Sequence, residues 1–580
     1  MITTILNQFV DKAGAFNPQL FRELKSRLTI RNLALVSGVA ILGQMAFIFF
    51  FSTLLPVAKD PDYKDYYNRY CLGSPPPNRE GYQQPHSYIP DNYCVQDFLG
   101  NWIVNWRLWW LDFFTTLSVI GIAILLVVGT YLLVTDLTKE ETRGTLNFIR
   151  LSPQSAETIF LGKLLGVPSL LYVLTVLTIP LHLITGLMAG IPLGLIVAFY
   201  GVLIAGCAFF FHIALLMGLV QSKAIAVQSF VVSGSLLFFL FLLMSITLWG
   251  EGGGFHSSLD WISFFYPGKI LVYLAQATYL PFKTVSYLKE SSLTGLRWYG
   301  QPIFAHAWSG ITFILFNYGI WTYALTRAIN RRFRRPHSVW LNKKQGYGLT
   351  LGFIVINLGF VAQSTNASRL YQNFIVLQII LFVFFAILTL ALSPQRQTLQ
   401  DWSRYRHQFH DNPRSGIQDL IWGEKSPSTI AIAINAAIVF LYTLPAIIIF
   451  PLNSHRFAVL GGLLLGLTMI TLYSLIFQEL LLLKNSRRFI TAIACLSVLI
   501  LVPMIAAIFV GGRFSVISSL WFATFIPMVA GERIFSLGAG IALLGQWITI
   551  FLIGGKMTHQ LKQLGNSEMK RLMLGRAEKS

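Results

Sequence analysis

The residues whose types could carry chemistry are few in this sequence and lie far apart. The chain of 580 residues has 24 acidic residues, ten histidines and four cysteines. Asp112 and Glu479 lie near the ends of apolar runs, whereas His182 and His212 lie deeper within them. A lone histidine in an apolar helix is more often a hydrogen-bonded packing residue than a proton relay. With no metal-ligand spacing, Ser-His-Asp set or paired carboxylates in an accessible segment, we expect no catalytic residues, no metal site and no enzyme.

Two of the cysteines share one polar segment. Cys71 and Cys94 lie in a loop rich in Pro and Tyr. If this loop faces an oxidising compartment they can form a disulfide, and otherwise they are two free thiols.

One polar segment carries most of the remaining signal. It reads EETRGTLNFIRLSPQSAETIFLGK over 140–163 and lies between two apolar runs. Glu140 and Glu141 favour a helix start because they oppose the positive end of a helix dipole. Ser152 and Pro153 end that helix, and Ser155 can cap a second helix that leads back into the apolar region. The pattern predicts a helical hairpin.

Composition identifies the elements that must hold this hairpin. Hydrophobic residues make up 54% of the chain and charged residues only 12%, which is typical of a polytopic membrane protein. Apolar runs of about 17 to 25 residues can cross a bilayer as helices. We predict an all-α fold with about twelve such spans: 33–55, 112–135, 164–187, 192–219, 227–249, 302–325, 347–364, 373–393, 428–451, 457–483, 489–511 and 538–555.

The distribution of positive charge predicts the orientation. If the N-terminus is cytoplasmic, 31 of the 44 Lys and Arg residues fall in cytoplasmic segments, seven of them in the basic stretch 327–345. The positive-inside rule then places both termini in the cytoplasm. A net charge of +20 therefore reflects membrane topology, and we expect no nucleic-acid partner.

Two pairs of similar segments predict two homologous halves. SSLDWISFFYP (257–267) resembles SSLWFATFIP (518–527), and GTLNFIRLSP (144–153) has a fainter echo in GIQDLIWGEKSP (416–427). The alternative is chance similarity between aromatic, Pro-rich segments. The predicted organisation is a tail and amphipathic elbow helix, a first half of six helices, a basic linker, a second half of six helices and a cytoplasmic tail: 1–32, 33–326, 327–346, 347–555 and 556–580.

Segments on the outer side carry aromatic residues and prolines. The segments 250–301 and 512–537 are apolar but interrupted by Pro, so we expect them to dip into the outer leaflet and to form a gate with Trp261, Pro267, Trp521 and Pro527. The first outside loop, 56–111, is rich in Tyr and Trp. It is either an interfacial aromatic belt with a small folded cap or a surface on which sugars or lipid headgroups stack.

Two stretches resemble a known family. The hairpin, with its Glu-Glu-x-x-x-Gly-Thr-Leu run, Leu-Ser-Pro and Ile-x-x-Gly-Lys, is similar to the cytoplasmic coupling hairpin of ATP-binding-cassette permeases of the type 2 export class. FNPQLFRELKSRLTIRN (16–32) resembles the elbow helix that opens many of these permeases. The matching hairpin residues, together with the neighbouring Arg143, are Glu140, Glu141, Gly144, Thr145, Leu146, Leu151, Ser152, Pro153, Ser155, Ile159, Gly162 and Lys163.

The resemblance implies a transport subunit that works with a separate P-loop ATPase, either a homodimer or a heterodimer, which holds ATP and Mg²⁺. This chain lacks a G-x-x-x-x-G-K-[ST] loop, so we expect no cofactor of its own. The family implies export across the plasma (inner) membrane of a bacterium, with membrane lipid around the subunit. The second half keeps only a weak version of the coupling segment within the cytoplasmic loop 394–427: Gly416, Trp422, Glu424, Ser426 and Pro427.

Two other functions remain open. The chain could be an ion-driven secondary transporter with twelve helices, although such carriers need buried charges that the predicted spans nearly lack. It could also be a membrane-embedded scaffold or transferase.

Overall fold

The structure is a computed structural model of the whole chain. It describes residues 2–56, 67–73, 93–219, 225–249, 256–278, 280, 295–336, 338–408, 413–485, 487–511, 520–535 and 537–565. These residues are overwhelmingly helical, and the sheet they contain is a two-stranded antiparallel ladder of β1 (Arg297–Trp298) and β2 (Gln301–Pro302). Trp298 pairs with Gln301 across the turn.

The chain divides into two compact units. The first comprises Met1–Gly254, Ile262–Leu296 and Ile303–Thr326, and the second comprises Phe255–Trp261, Arg297–Pro302 and Arg327–Ser580. The main division between Thr326 and Arg327 falls where the basic linker begins. Two short pieces of the predicted first half, 255–261 and 297–302, nevertheless belong to the second unit.

In the described part of the chain, twelve α-helices begin before the linker, and the first two of them are formed by the N-terminal tail. They are α1 (Ile2–Phe16), α2 (Pro18–Arg27), α3 (Ile30–Thr53), α4 (Trp106–Thr142), α5 (Thr145–Arg150), α6 (Ala156–Gly166), α7 (Ser169–Met188), α8 (Leu193–Gly218), α9 (Ile225–Trp249), α10 (Leu259–Ser263), α11 (Leu271–Gln276) and α12 (Ala307–Arg334).

After the linker the chain forms eight further α-helices among the described residues. They are α13 (Lys343–Val361), α14 (Ala367–Leu392), α15 (Arg396–Gln408), α16 (Pro413–Trp422), α17 (Thr429–Ile449), α18 (Arg456–Leu481), α19 (Arg488–Gly511) and α20 (Leu537–Gly565).

Ten of the described helices are long and apolar enough to cross a membrane: α3, α4, α7, α8, α9, α14, α17, α18, α19 and α20. The protein is therefore an all-α, polytopic membrane protein. The other two predicted spans are helical as α12 and α13 but fall short of that apolar composition. Polar and aromatic residues within α12, and the Lys343-Lys344 start of α13, account for the difference. Twelve spans and cytoplasmic termini remain predictions.

A small folded cap lies against the start of α4. Cys71 and Cys94 form a disulfide with a Cα–Cα distance of 4.9 Å. Arg69 forms two bonds with the Asp112 carboxylate of α4, at 2.5 and 2.9 Å, and the Tyr70 hydroxyl donates to the same group. The cap thus pairs the acid near the start of α4.

The described parts of the two segments predicted to face the outer side form short helices and 3₁₀ turns. In the first unit Pro267 is buried at the start of a 3₁₀ helix, Pro267–Ile270, and packs against Gly206 of α8. In the second unit Trp261 is buried edge-on against Phe353 of α13. Pro527 opens the 3₁₀ segment Pro527–Phe535, and the Trp521 carbonyl accepts the Thr524 N–H. A gating role for these residues remains a prediction, and Pro281 lies outside the described residues.

Candidate functional site

The predicted hairpin is present, but its first helix starts later than its acidic residues suggested. Glu140 and Glu141 lie in the last turn of α4, which ends at Thr142. The expectation that they start a helix was wrong, since ion pairs across the fold offset their unfavourable position at a helix C-terminus. Gly144 turns the chain with a φ of 73°, a left-handed conformation that glycine adopts without strain.

The rest of the hairpin follows its local signals. The short helix α5 ends at Arg150, just before Ser152 and Pro153. The Ser155 hydroxyl accepts the Thr158 N–H at 3.1 Å and caps α6, as predicted. The hairpin is therefore a helix, a turn and a capped helix that leads toward α7.

A buried lysine lies at the centre of the hairpin base. The Lys163 side chain is 1% exposed, and its ammonium lies 2.7 Å from Asp136, 2.8 Å from Glu140 and 3.5 Å from Glu23. These contacts join three elements: α2 through Glu23, α4 through Asp136 and Glu140, and α6 through Lys163. We call these four residues the charged junction.

Two arginines of α2 complete the charge balance. Arg22 forms an ion pair with Glu140, and Arg27 contacts Asp136 at 2.7 Å. Three carboxylates therefore face three cations. The carboxylate oxygens of Glu23, Asp136 and Glu140 lie within 4.8 Å of one another, a spacing that suits a cation, and the Lys163 ammonium is among them.

Electrostatics keep the Lys163 ammonium charged. Burial alone would lower the pKa of Lys163, but Asp136, Glu140 and Glu23 together raise the pKa above its ordinary value of 10.5. A buried charge with full pairing is stable, whereas removing one partner from such a set is strongly destabilising.

Close backbone contact holds the elbow helix α2 against α6. Asn17 caps α2 by accepting the N–H groups of Gln19 and Leu20, and its amide donates to the Thr158 carbonyl at 2.7 Å. A Cβ on Gly162 would lie 2.8 Å from the Leu20 nitrogen, so the two helices approach this closely only with glycine there. The elbow is therefore part of the hairpin's base.

The tip of the hairpin presents apolar side chains outward. Phe148 is 77% exposed and Leu151 is 83% exposed, whereas Leu146 is fully buried. Arg150 lies 3.1 Å from Glu141 and ties α5 back to the end of α4. Two large apolar groups thus project from a short helical element that its base holds in place.

The loop of the second unit is built differently. Lys343, 2% exposed, donates to the Leu420 carbonyl at 2.6 Å, the Ser426 hydroxyl at 2.7 Å and the Pro427 carbonyl at 3.1 Å. All three acceptors are neutral. Burial lowers the pKa of Lys343 to about 8, although the nearby Asp419 raises it.

Other contacts hold the end of this second loop. Glu424 forms an ion pair with Arg331. Trp422 is 48% exposed, and its ring lies 5.5 Å from that of Tyr347 and 5.4 Å from the Lys344 ammonium. Gly416 lies within α16. The weak second coupling segment is thus anchored to the first two turns of α13 and to Arg331 near the end of α12.

The structure brings together some of the predicted coupling residues and separates others. Glu140, Gly162 and Lys163 meet at the base of the hairpin, whereas Arg143, Thr145, Leu151 and Pro153 are exposed around its turn. Sequence reasoning missed the partners from distant segments, namely Asn17, Glu23 and Asp136, and also the exposed Phe148. An acidic residue within an otherwise basic elbow, Glu23, was the signal that could have indicated a buried ion pair.

The two histidines and Glu479 of the apolar helices have partners. His182 bonds to the Ser118 hydroxyl at 2.7 Å and to the Tyr200 hydroxyl at 2.8 Å, and Nδ1 of His212 contacts the Ala208 carbonyl at 2.6 Å. Glu479 pairs with Lys556 at 3.1 Å. Both histidines are hydrogen-bonded packing residues, as predicted.

Comparison with protein families, with characterised proteins and with solved structures finds no match to this chain.

Proposed function

We propose that the protein is the transmembrane permease subunit of an ATP-binding-cassette exporter, with two six-helix halves in one chain. The hairpin at 140–163 docks on a separate P-loop ATPase subunit beneath the cytoplasmic face of the bacterial inner membrane, and both termini lie on that side. The observation that carries the proposal is the structure of the hairpin. Phe148 and Leu151 are exposed at its tip, and the charged junction holds its base in place.

The geometry suits the transmission of force. The buried core of a protein interface is enriched in aromatic residues, Phe among them, and the exposed pair supplies one such residue, Phe148. Because Lys163 joins α6 to α2 and α4, a push on the tip reaches the elbow and the α4 helix together. ATP-driven closure of the ATPase would move this unit between two packed states.

The paired charges favour this proposal over an ion-driven carrier. Buried acids that carry ions or protons across a membrane must exchange partners. Here Asp112 contacts Arg69, and Glu479 contacts Lys556. Each therefore has a structural explanation.

The test is capture of the ATPase from native membranes through the tagged full-length chain. We expect a stoichiometric P-loop ATPase, identified by mass spectrometry and by ATP hydrolysis in the eluate. The double variant Phe148→Asp, Leu151→Asp should lower its affinity at least about 30-fold, since one interface hot spot contributes about 2 kcal/mol.

A matched control uses another exposed apolar pair, Phe98 and Leu99 of the first outside loop. Phe98→Asp, Leu99→Asp should leave capture of the ATPase unchanged. Absence of any P-loop ATPase from the wild-type eluate would overturn the proposal and favour the secondary carrier or the scaffold.

A further inference from the structure

A cavity within the second unit lies among three of its apolar helices. It has a volume of about 190 Å³ and is lined by α14, α18 and α19. Its walls are mostly apolar, with Phe382, Phe385 and Phe477 among them. An engineered apolar cavity of about 150 Å³ in another protein stays dry and binds benzene. The space is therefore large enough for part of an alkyl chain.

The rim of the cavity is formed by side chains on the outer surface of the helices. Leu390 is 38% exposed and Ile493 is 43% exposed, and both line the cavity. Ala386 and Ser497 also combine exposure with a place in the lining. In a membrane this surface is covered by lipid chains, so the molecules that reach the cavity are those dissolved in the bilayer.

Two hydroxyl groups in the lining lack partners. The Tyr473 and Ser474 side chains are 7% and 2% exposed, and neither hydroxyl has a hydrogen-bond partner among the described residues. A buried polar group without a partner costs about 1–3 kcal/mol. Both belong to α18 and both line the cavity. A ligand with an oxygen beside its alkyl chain would satisfy them.

The location along the helices defines the leaflet. Thr389 lies near the end of α14, Phe477 near the end of α18 and Ile493 near the start of α19. In the predicted topology these ends are all cytoplasmic, which places the cavity at the level of the inner leaflet.

We propose that this cavity is a binding site for an amphipathic lipid of the inner leaflet, with one alkyl chain among the aromatic side chains and an ester or hydroxyl oxygen bonded to Tyr473 and Ser474. The choice of leaflet rests on the predicted topology that the proposed function includes, but the site itself requires no ATPase partner, so failure to capture an ATPase would leave it unaffected.

The experiment uses the full chain purified alone and reconstituted in lipid nanodiscs. The probe is a monoacylglycerol with a diazirine on its acyl chain, and the comparison probe is a diazirine alkane of the same length without oxygen. We expect saturable photolabelling of peptides from α14, α18 and α19 by the monoacylglycerol. Tyr473→Phe and Ser474→Ala should each weaken its apparent affinity about fivefold, the effect of one net hydrogen bond, and leave alkane labelling unchanged.

Bulky side chains in the lining should fill the cavity and exclude the lipid. Ser497→Trp and Ala386→Trp alter exposed positions of the lining and should abolish saturable labelling without unfolding the chain. Val498→Trp is the matched control, because Val498 is 59% exposed on the same helix and is not part of the lining. The proposal would be overturned by equal labelling of all lipid-facing helices or by blocking variants that have no effect. Equal affinity for both probes would also overturn it, because water alone would then satisfy the hydroxyls.

Discussion

The hairpin of the first unit and the loop of the second each depend on a buried lysine, but the partners of that lysine differ. Lys163 of the first loop contacts three carboxylates, whereas Lys343 of the second unit contacts two carbonyls and a hydroxyl. Lys163 lies in its loop and joins it to the elbow helix α2 and to α4, whereas Lys343 lies in the first turn of α13 and joins that helix to its loop. Ion pairs of Lys163 therefore hold the first loop in place, whereas hydrogen bonds from Lys343 to neutral oxygens hold the second.

The two lysines therefore differ in how firmly they hold their proton. The carboxylates raise the pKa of Lys163, whereas burial lowers the pKa of Lys343 to about 8. The first link depends on a permanent charge, and the second contains a cation that can lose its proton within an accessible pH range.

Removal of the lysine should distinguish the two links most strongly. Lys163→Met leaves three carboxylates facing only two cations, Arg22 and Arg27, and should destabilise the first unit by about 3–5 kcal/mol, because one negative charge of the cluster loses its compensating cation. Lys343→Met leaves only neutral acceptors unpaired and should cost about 1–3 kcal/mol. Thermal unfolding of both variants in detergent measures the difference. Equal losses would contradict the comparison, and partial rescue of Lys163→Met by Asp136→Asn would support it.

The response to pH should differ in sign. The pKa of Lys343 in the folded chain is about 8, below its ordinary value of 10.5, so the unfolded chain binds more protons between these values. Stability of the second loop should rise from pH 8 to 10.5, by up to about 3 kcal/mol. The pKa of Lys163 is raised, so its contribution is complete below pH 10.5 and is lost as the pH rises through its folded value.

Hydrogen exchange, corrected for intrinsic rates, measures both trends. Amides of α16 should gain protection above pH 8, whereas those of α6 should not change until the pH exceeds 10.5. Lys343→Met serves as the control and should abolish the gain in α16. A parallel response of both loops would show that the two lysines have similar environments.

A smaller test concerns packing beside each link. Gly162→Ala would place a Cβ 2.8 Å from the Leu20 backbone and should cost about 1–3 kcal/mol, the usual effect of overpacking. In the second unit, a Cβ on Gly346 would meet only the flexible ends of two side chains, Leu392 at 3.2 Å and Leu388 at 3.7 Å. Gly346→Ala should be nearly neutral. Thermal unfolding of the pair tests whether close backbone contact belongs to the first link alone.

Local signals predicted the parts of the hairpin that depend on neighbouring residues. Ser155 caps α6, and the helix before Ser152 and Pro153 ends at Arg150, because a cap or a proline acts within one turn. Apolar run length likewise indicated the membrane-embedded helices.

Distant partners account for what the sequence left undetermined. The positions of Glu140 and Glu141 in α4 depend on Arg22, Arg150 and Lys163. The helix dipole alone favours acidic residues at the start of a helix, whereas these two lie at the end of α4. The unpaired hydroxyls of Tyr473 and Ser474 could not be predicted either, because a run of apolar residues does not show which polar side chains within it will lack hydrogen-bond partners.

The contact between Asn17 and Thr158 also has a consequence for synthesis. These residues are 141 positions apart, and a ribosome adds about 5–20 residues per second. The elbow is thus translated roughly 7 to 28 s before the hairpin to which it binds. During that interval Glu23 has no Lys163 beside it, and Arg22 and Arg27 of its own helix are the cations that can pair with it. The first helices to emerge are therefore docked only after the second membrane helix and the hairpin have been made.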